Sequence, residues 1–324
     1  MPLPNGIVEA VPQAALSLAG GYIAASASWL LRKSSSPWRW GAFIILSGVL
    51  LACPFLVPRP FMILRGFNSA VIVWWWLKTW DALHRSMAAD TRFPQHLASL
   101  LNFGLNVTPS SDSQHRVPPF TRRWYDVIAW GSAFCFACAL IYCVFGSDWS
   151  GLPFMAEHLA KVASLMVGLV LCGLNFHSAL WRFGGARALH SPLASLWSAS
   201  PAEFWRRWNR PVQQWLFEYV FMPIKGTRCM ATATVAAFAV SGVMHEYIVS
   251  MATGRITGYP TAFFLLQSLG VLATARLDPR GWRRVFGVTS TWAFNAVTSV
   301  LLFAPLGATL PFYANQIPYW TRPW

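Results

Sequence analysis

A chain of 324 residues with 55% hydrophobic and only 11% charged side chains, and a mean hydropathy of +0.43, is too apolar for a soluble fold. A net charge of +14 would suit nucleic acid, but the basic residues sit in loops between apolar runs, which argues for membrane topology and against nucleic acid. The composition predicts an all-α polytopic membrane protein, with many of its 19 Trp near the ends of apolar runs, where indole rings settle at a bilayer interface.

In chain order, the first apolar run is 7–31, ending at Arg32 and Lys33. Its charges follow the apolar core and no basic stretch precedes it, so it reads as a membrane helix and not a signal peptide. Runs at about 41–57 and 61–77 come next, the second carrying Arg65 and closing on Trp74-Trp75-Trp76. A polar connection with Pro94, Pro109, Pro118 and Pro119 fills 78–123. Runs at 126–145 and 158–180, a second polar connection at 181–228, and runs at 229–250, 259–274 and 285–311 complete the chain. Each run is near the roughly 20 residues a span requires, so eight helices are expected.

Loop charges alternate accordingly. Loops 32–40, 78–123, 181–228 and 275–284 carry +3, +3, +5 and +3, whereas 58–60, 146–157 and 251–258 carry +1, −2 and +1. The positive-inside rule then places both termini away from the cytoplasm. The chain reads as one integral membrane domain over 1–324, with N-terminal helices to about 190 and a motif-bearing region at 191–324. All six Cys lie in or beside apolar runs. Cys135-x-x-Cys138 has metal-pair spacing but no second pair, and reads as small buried hydrophobes. No metal site is expected.

The stretch SPAEFWRRWNRPVQQWLFEYVFMP, Ser200–Pro223, cannot span a bilayer. Ser200, Pro201 and Glu203 are a helix start. A helical wheel then gathers Phe204, Trp205, Trp208, Val212, Trp215, Leu216 and Tyr219 on one face. Arg206, Arg207, Arg210, Gln214 and Glu218 fall on the other, so the helix lies at the interface. Pro211 must kink or restart it beside Asn209. The arginines either anchor the helix on anionic lipid or form a binding edge for a phosphorylated cofactor.

Downstream, SGVMHEYIVS (Ser241–Ser250) buries His245 deep in an apolar run. An ionisable residue there is a functional hypothesis by default. Ser241, one turn earlier, can orient the ring, and Gly242 allows a second helix to approach. Glu246 points about 100° away and suits a neighbouring helix or a cavity wall. Gln267 and Asn295 are polar residues in the last two helices that line a chamber or make packing hydrogen bonds. His177 reads as structural, and His84 as interfacial or cofactor-side.

FWRRWNRPVQQW followed by the apolar HEY segment resembles the membrane-bound O-acyltransferase superfamily, in the branch of wax synthases and the diacylglycerol and sterol acyltransferases. The length and the closing FFLLQSLGV…LLFAPLG look most like wax synthase-type members. Upstream, only hydropathy and the stretch Trp75–His84 match. The resemblance implies a bundle of about eight transmembrane helices plus an amphipathic interfacial helix, enclosing a catalytic chamber. It makes His245 the catalytic histidine and Asn209 its paired asparagine. Trp205, Arg206, Arg207, Trp208, Arg210, Ser241, Glu246, Gln267 and Asn295 become candidate substrate or cofactor contacts.

The implied reaction moves an acyl group from coenzyme A, a co-substrate with no permanently bound cofactor, to a hydroxyl. The acceptor would be a lipophilic alcohol: a fatty alcohol, sterol, terpenoid or, in the diacylglycerol acyltransferase-like alternative, a diacylglycerol. His245 would be the general base, and Asn209 would stabilise the oxyanion or hold His245 in the right tautomer. The host membrane would be the cytoplasmic membrane in a bacterium or the endoplasmic reticulum in a eukaryote. From another class, a proton-coupled transporter or flippase could use His245 as its protonation site, although no inverted repeat is visible.

Overall fold

Apolar runs exclude water from their backbones, and in lipid a helix is the open-chain structure that satisfies every interior amide within itself. Each of the eight runs is a helix in the computed structural model, which describes residues 7–31, 36–84, 92–102, 120–184, 192–224, 228–277, 279–307 and 312–314. Among the described residues there is no strand.

The chain divides into two units. The first comprises residues 1–114 and 247–256. It contains α1 (Ile7–Leu31), α2 (Ser36–Ala52), α3 (Met62–His84) and the short α4 (Phe93–Leu101). Its core is Ala24, Ala25, Leu50, Cys53, Ile72, Trp75 and Leu100. Small residues let α1 and α3 close on each other: a Cβ at Gly21 would lie 3.1 Å from the Trp75 ring. The α4 helix is tied underneath by Trp75 Nε1 and Lys78 Nζ, which donate to the carbonyls of Leu100 (3.0 Å) and Ser99 (2.9 Å). His84 stacks on Trp80 with ring centroids 4.0 Å apart and gives its Nδ1 to the Trp80 carbonyl.

The second unit comprises 115–246 and 257–324. It begins with α5 (Phe120–Gly146) and a long span, Phe154–Phe183, made of α6 (Phe154–Leu165), a π-helical stretch (Met166–Gly173) and α7 (Leu174–Phe183). Gly168 lets this span press on α5, where an added Cβ would meet Ile141 at 2.6 Å. Then come a 3-10 turn (Pro192–Trp197), α8 (Pro201–Arg207), α9 (Arg210–Leu216), a π-helical turn (Phe217–Phe221), α10 (Met230–Thr253, whose residues from Tyr247 on belong to the first unit), α11 (Tyr259–Thr274) and α12 (Trp282–Gly307).

Six described helical stretches are long and apolar enough to cross a membrane: the spans of α1, α2, α5, α6–α7, α10 and α12. The other two expected spans differ for physical reasons. The α3 helix carries Arg65, Lys78 and Asp81, and α11 has only 16 residues. The first of the two units has a core of its own, drawn from α1–α4 and the turn after α2. One reading is corrected. Cys135 and Cys138 are exposed on α5 and face outward, where a membrane would supply lipid.

Candidate active site

The helix start at Ser200 forms as the sequence predicts. Ser200 Oγ accepts from the Glu203 amide at 3.1 Å, while Glu203 Oε2 accepts from the Ala199 amide at 2.6 Å, one residue beyond the usual capping-box donor. Glu203 Oε1 also holds Arg207 at 2.5 Å and Arg284 at 3.2 Å. Burial pushes the Glu203 carboxyl up, but the Ala199 amide and the two guanidiniums outweigh it and hold it below the ordinary carboxylate range. Arg207, expected on the cofactor side, is thus a strut, and it also donates to the Ala194 carbonyl at 3.0 Å. Arg206 and Arg210 are exposed and make no ion pair among the described residues.

Pro211 restarts the helix rather than kinking it. The break falls at Asn209, whose backbone is left-handed (φ 41°, ψ 55°). Pro211 sits in the first turn of α9, where its missing N–H is not needed, and the tolerant Asn209 takes the left-handed turn before it. Asn209 is exposed and its side chain makes no capping bond to α9. Trp208 stacks on Phe204 at 5.3 Å.

Trp205 turns inward. Its Nε1 donates to Gln267 Oε1 on α11 (3.0 Å), Gln267 Nε2 donates to Thr298 Oγ1 on α12 (2.7 Å), and Thr298 donates to the Phe294 carbonyl. Gln267 is fully buried. These two candidate substrate contacts therefore cross-link three helices. The Trp205 ring also packs on Phe238 of α10 (5.2 Å) and Phe264 of α11 (5.7 Å).

Phe264 is the link to the histidine. Its ring lies 4.3 Å from that of His245, which is half-buried on α10. His245 Nδ1 sits 2.8 Å from the backbone carbonyl of Ser241. A carbonyl only accepts, so Nδ1 carries the proton, and in the neutral ring Nε2 keeps its lone pair. Nε2 has no hydrogen-bond partner among the described residues. The turn before the histidine orients the ring, as expected of Ser241, but through the carbonyl that any residue provides and not the hydroxyl. Gly242 acts as anticipated: a Cβ there would lie 3.0 Å from Thr261 Cα and 3.4 Å from Phe264 Cβ.

Glu246 spends both oxygens on the start of α11. It accepts from the amides of Thr257 and Gly258 at 2.8 Å each, and from the amide and hydroxyl of Thr261 at 3.3 and 3.2 Å. It fixes the α10–α11 turn and leaves no oxygen for a cofactor. Asn295 Oδ1 is buried without a partner. No hydrogen bond joins Asn209 to His245 in this structure.

Sequence reasoning missed a second polar cluster. Glu157 and Lys161 of α6 pair at 2.6 Å, and Lys161 also donates to the Phe312 carbonyl at 2.6 Å. Between them in sequence, His158 meets the Tyr313 hydroxyl (2.7 Å), Ser299 Oγ (3.0 Å) and the Ala296 carbonyl (3.3 Å). The available signal was three ionisable residues within five positions at the start of an apolar run.

A profile of the membrane-bound O-acyltransferase family matches residues 97–303, reaching well upstream of the two motifs. The chain is 27% identical over 154 residues to a probable sterol O-acyltransferase 2 of Schizosaccharomyces pombe, covering 48% of this chain and 31% of the relative. It is 28% identical over 183 residues to sterol O-acyltransferase 1 of Mus musculus, covering 56% and 30%. To sterol O-acyltransferase 2 of Homo sapiens it is 32% identical over 149 residues, covering 45% and 26%. The chain thus spans about a third or less of the length of these relatives. The profile covers more than half of the sequence, and the chain belongs to the membrane-bound O-acyltransferase family.

Proposed function

We propose that the chain transfers an acyl group from an acyl-coenzyme A thioester to the hydroxyl of a lipophilic alcohol, with His245 as general base. The observation that carries this reading is the open Nε2 of a half-buried imidazole whose other nitrogen is held by the Ser241 carbonyl. Nε2 takes the proton of the alcohol as its oxygen attacks the thioester carbonyl. The tetrahedral intermediate collapses, the C–S bond breaks, and the departing thiolate recovers the proton from the imidazolium. A thioester is already activated, so no enzyme-bound acyl intermediate is needed.

Ring orientation is already supplied by Ser241, so the part proposed for Asn209 is the other of its two candidate roles, a donor toward the thioester oxygen. Arg206 and Arg210, exposed beside it, suit the phosphates of coenzyme A. Asn295, with a buried and unpartnered carboxamide oxygen, suits a polar group of the acceptor. The names of the relatives favour a sterol acceptor, whereas the closing stretch looks more like that of wax synthases and Pro211 and Val212 look closer to the diacylglycerol acyltransferase pattern.

The test is acyl transfer by purified full-length protein in detergent, with no ion gradient, from labelled acyl-coenzyme A to a sterol, a fatty alcohol and a diacylglycerol in parallel. Ester formation that disappears in His245→Ala is expected. An unchanged rate in that variant would sink the assignment, and proton flux without ester would favour a transporter.

A further inference from the structure

The α1–α3 seam of the first unit, and Arg65 one turn before it on α3, hold polar atoms that the acyl-transfer reading does not use. Arg65 of α3 is only 7% exposed, and its Nε is enclosed with no acceptor in reach. No carboxylate or carbonyl among the described residues pairs with its guanidinium. One face is covered by the Phe55 ring, 4.6 Å from the guanidinium carbon. Its other electrostatic neighbours are Arg59, a second cation, and the neutral Tyr247 hydroxyl, which donates to the Leu51 carbonyl at 2.8 Å. A guanidinium with one nitrogen enclosed and a second cation nearby is costly in a membrane domain unless an anion completes it.

The surroundings are polar in a complementary sense. One helical turn from Arg65, Asn68 is fully buried. Its Nδ2 donates to the Ala14 carbonyl of α1, across the seam, at 3.5 Å. That bond fixes the amide orientation, because a carbonyl cannot accept from Oδ1, and so leaves Oδ1 enclosed without a donor. On either side of Ala14, Ser17 Oγ and Gln13 Oε1 are likewise enclosed without partners. Native interiors leave few such atoms, and several along one seam call for a polar guest.

We propose that this seam binds the oxyanion of a lipid headgroup, with Arg65 holding the charge and Asn68, Ser17 and Gln13 facing the hydroxyls or ordered water beside it. The guest supplies both things the seam lacks: an anion for the guanidinium and O–H donors for the carboxamide oxygens. Phosphatidylglycerol, with one phosphate and two free hydroxyls, has that chemistry. Phosphatidylcholine carries its own cation and no hydroxyl.

Thermal unfolding of delipidated full-length protein in neutral detergent tests this. Phosphatidylglycerol, phosphatidylcholine with the same acyl chains, and inorganic phosphate are added separately. Phosphatidylglycerol at saturation is expected to raise the midpoint by about 3 °C or more over phosphatidylcholine. Arg65→Gln should abolish the difference, and Arg65→Lys should retain part of it. Ser17→Ala, a mild change, should shift the phosphatidylglycerol midpoint concentration several-fold and keeps the test open if Arg65→Gln does not fold. Equal responses to the two lipids, or a headgroup preference that survives Arg65→Gln, would overturn the proposal. So would a response to inorganic phosphate as large as that to phosphatidylglycerol, which would make the guest a free ion.

Discussion

His245 and His158 are both histidines inside apolar helices, and their surroundings are opposites. His158 is fully buried, and both of its nitrogens are committed, to Tyr313 on one side and to Ser299 and Ala296 on the other. Beside it, Glu157 Oε1 takes both Lys161 and the Ala314 amide. That cluster spends its polarity on fastening residues 312–314 to α6 and α12. His245 has one nitrogen anchored and the other open. Burial alone therefore does not separate the two rings; what the proposed base has is an uncommitted Nε2 on a fixed ring, which His84 shares, together with its place in the second motif.

The largest contrast should come from removing each ring. His245→Ala is expected to lower acyl transfer by about 10²–10⁴-fold with little change in thermal midpoint. His158→Ala should do the reverse, losing roughly 1–3 kcal/mol of stability by leaving Tyr313 and Ser299 short of partners, while the surviving protein turns over normally. Parallel assays of rate and unfolding on both variants check this. Comparable rate losses at equal folded fraction would erase the distinction.

Next in size is the ion pair beside His158. Lys161→Met leaves Glu157 charged and buried and should cost about 3–5 kcal/mol, whereas the double change Glu157→Gln with Lys161→Met should cost distinctly less. Denaturant or thermal unfolding of the three proteins decides it. An additive double variant would mean that the two side chains do not act as a pair.

On the His245 side, Gly242→Val should push Thr261 and Phe264 away from α10 and loosen the ring they confine. A loss of roughly 10–100-fold in turnover, exceeding any loss of stability, is expected from a small displacement of reacting groups. Turnover and midpoint falling in proportion would reduce Gly242 to a packing residue.

The smallest effect concerns pH at the start of α8. The folded Glu203 carboxyl titrates below the ordinary range. Its contribution to stability is therefore complete above the unfolded value near about 4.3, and is lost as pH falls through the lower folded value. Wild type should lose up to about 1 kcal/mol more than Glu203→Gln on acidification through that window, because the group is partly solvated. Coincident stability–pH profiles of the two proteins would refute this.

What was legible in the sequence was what depends on near neighbours. Apolar length gave all eight helices, and Ser200, Pro201 and Glu203 gave the start of α8. The crowding predicted at Gly242 needed only the absence of a side chain. What was not legible depends on partners far along the chain. Gln267 meets Trp205 62 positions away, and His158 meets Tyr313 155 positions away. Glu246 was correctly turned from His245 by helical geometry, but that it would cap α11 required the α10–α11 turn to be seen. The arginines of α8 and α9 look alike in sequence, and only the position of Glu203 separates Arg207 from Arg206 and Arg210.

The left-handed backbone at Asn209 allows its side chain and its conformation to be separated by substitution. Glycine adopts that region freely, whereas alanine must be forced into it at a cost of roughly 1–2 kcal/mol. Asn209→Gly thus deletes the carboxamide and preserves the break between α8 and α9, while Asn209→Ala deletes one and strains the other. A rate deficit shared by both variants belongs to the amide; a deficit confined to alanine belongs to the bend. This position is one where the shape of the chain and the chemistry of the residue can be weighed independently.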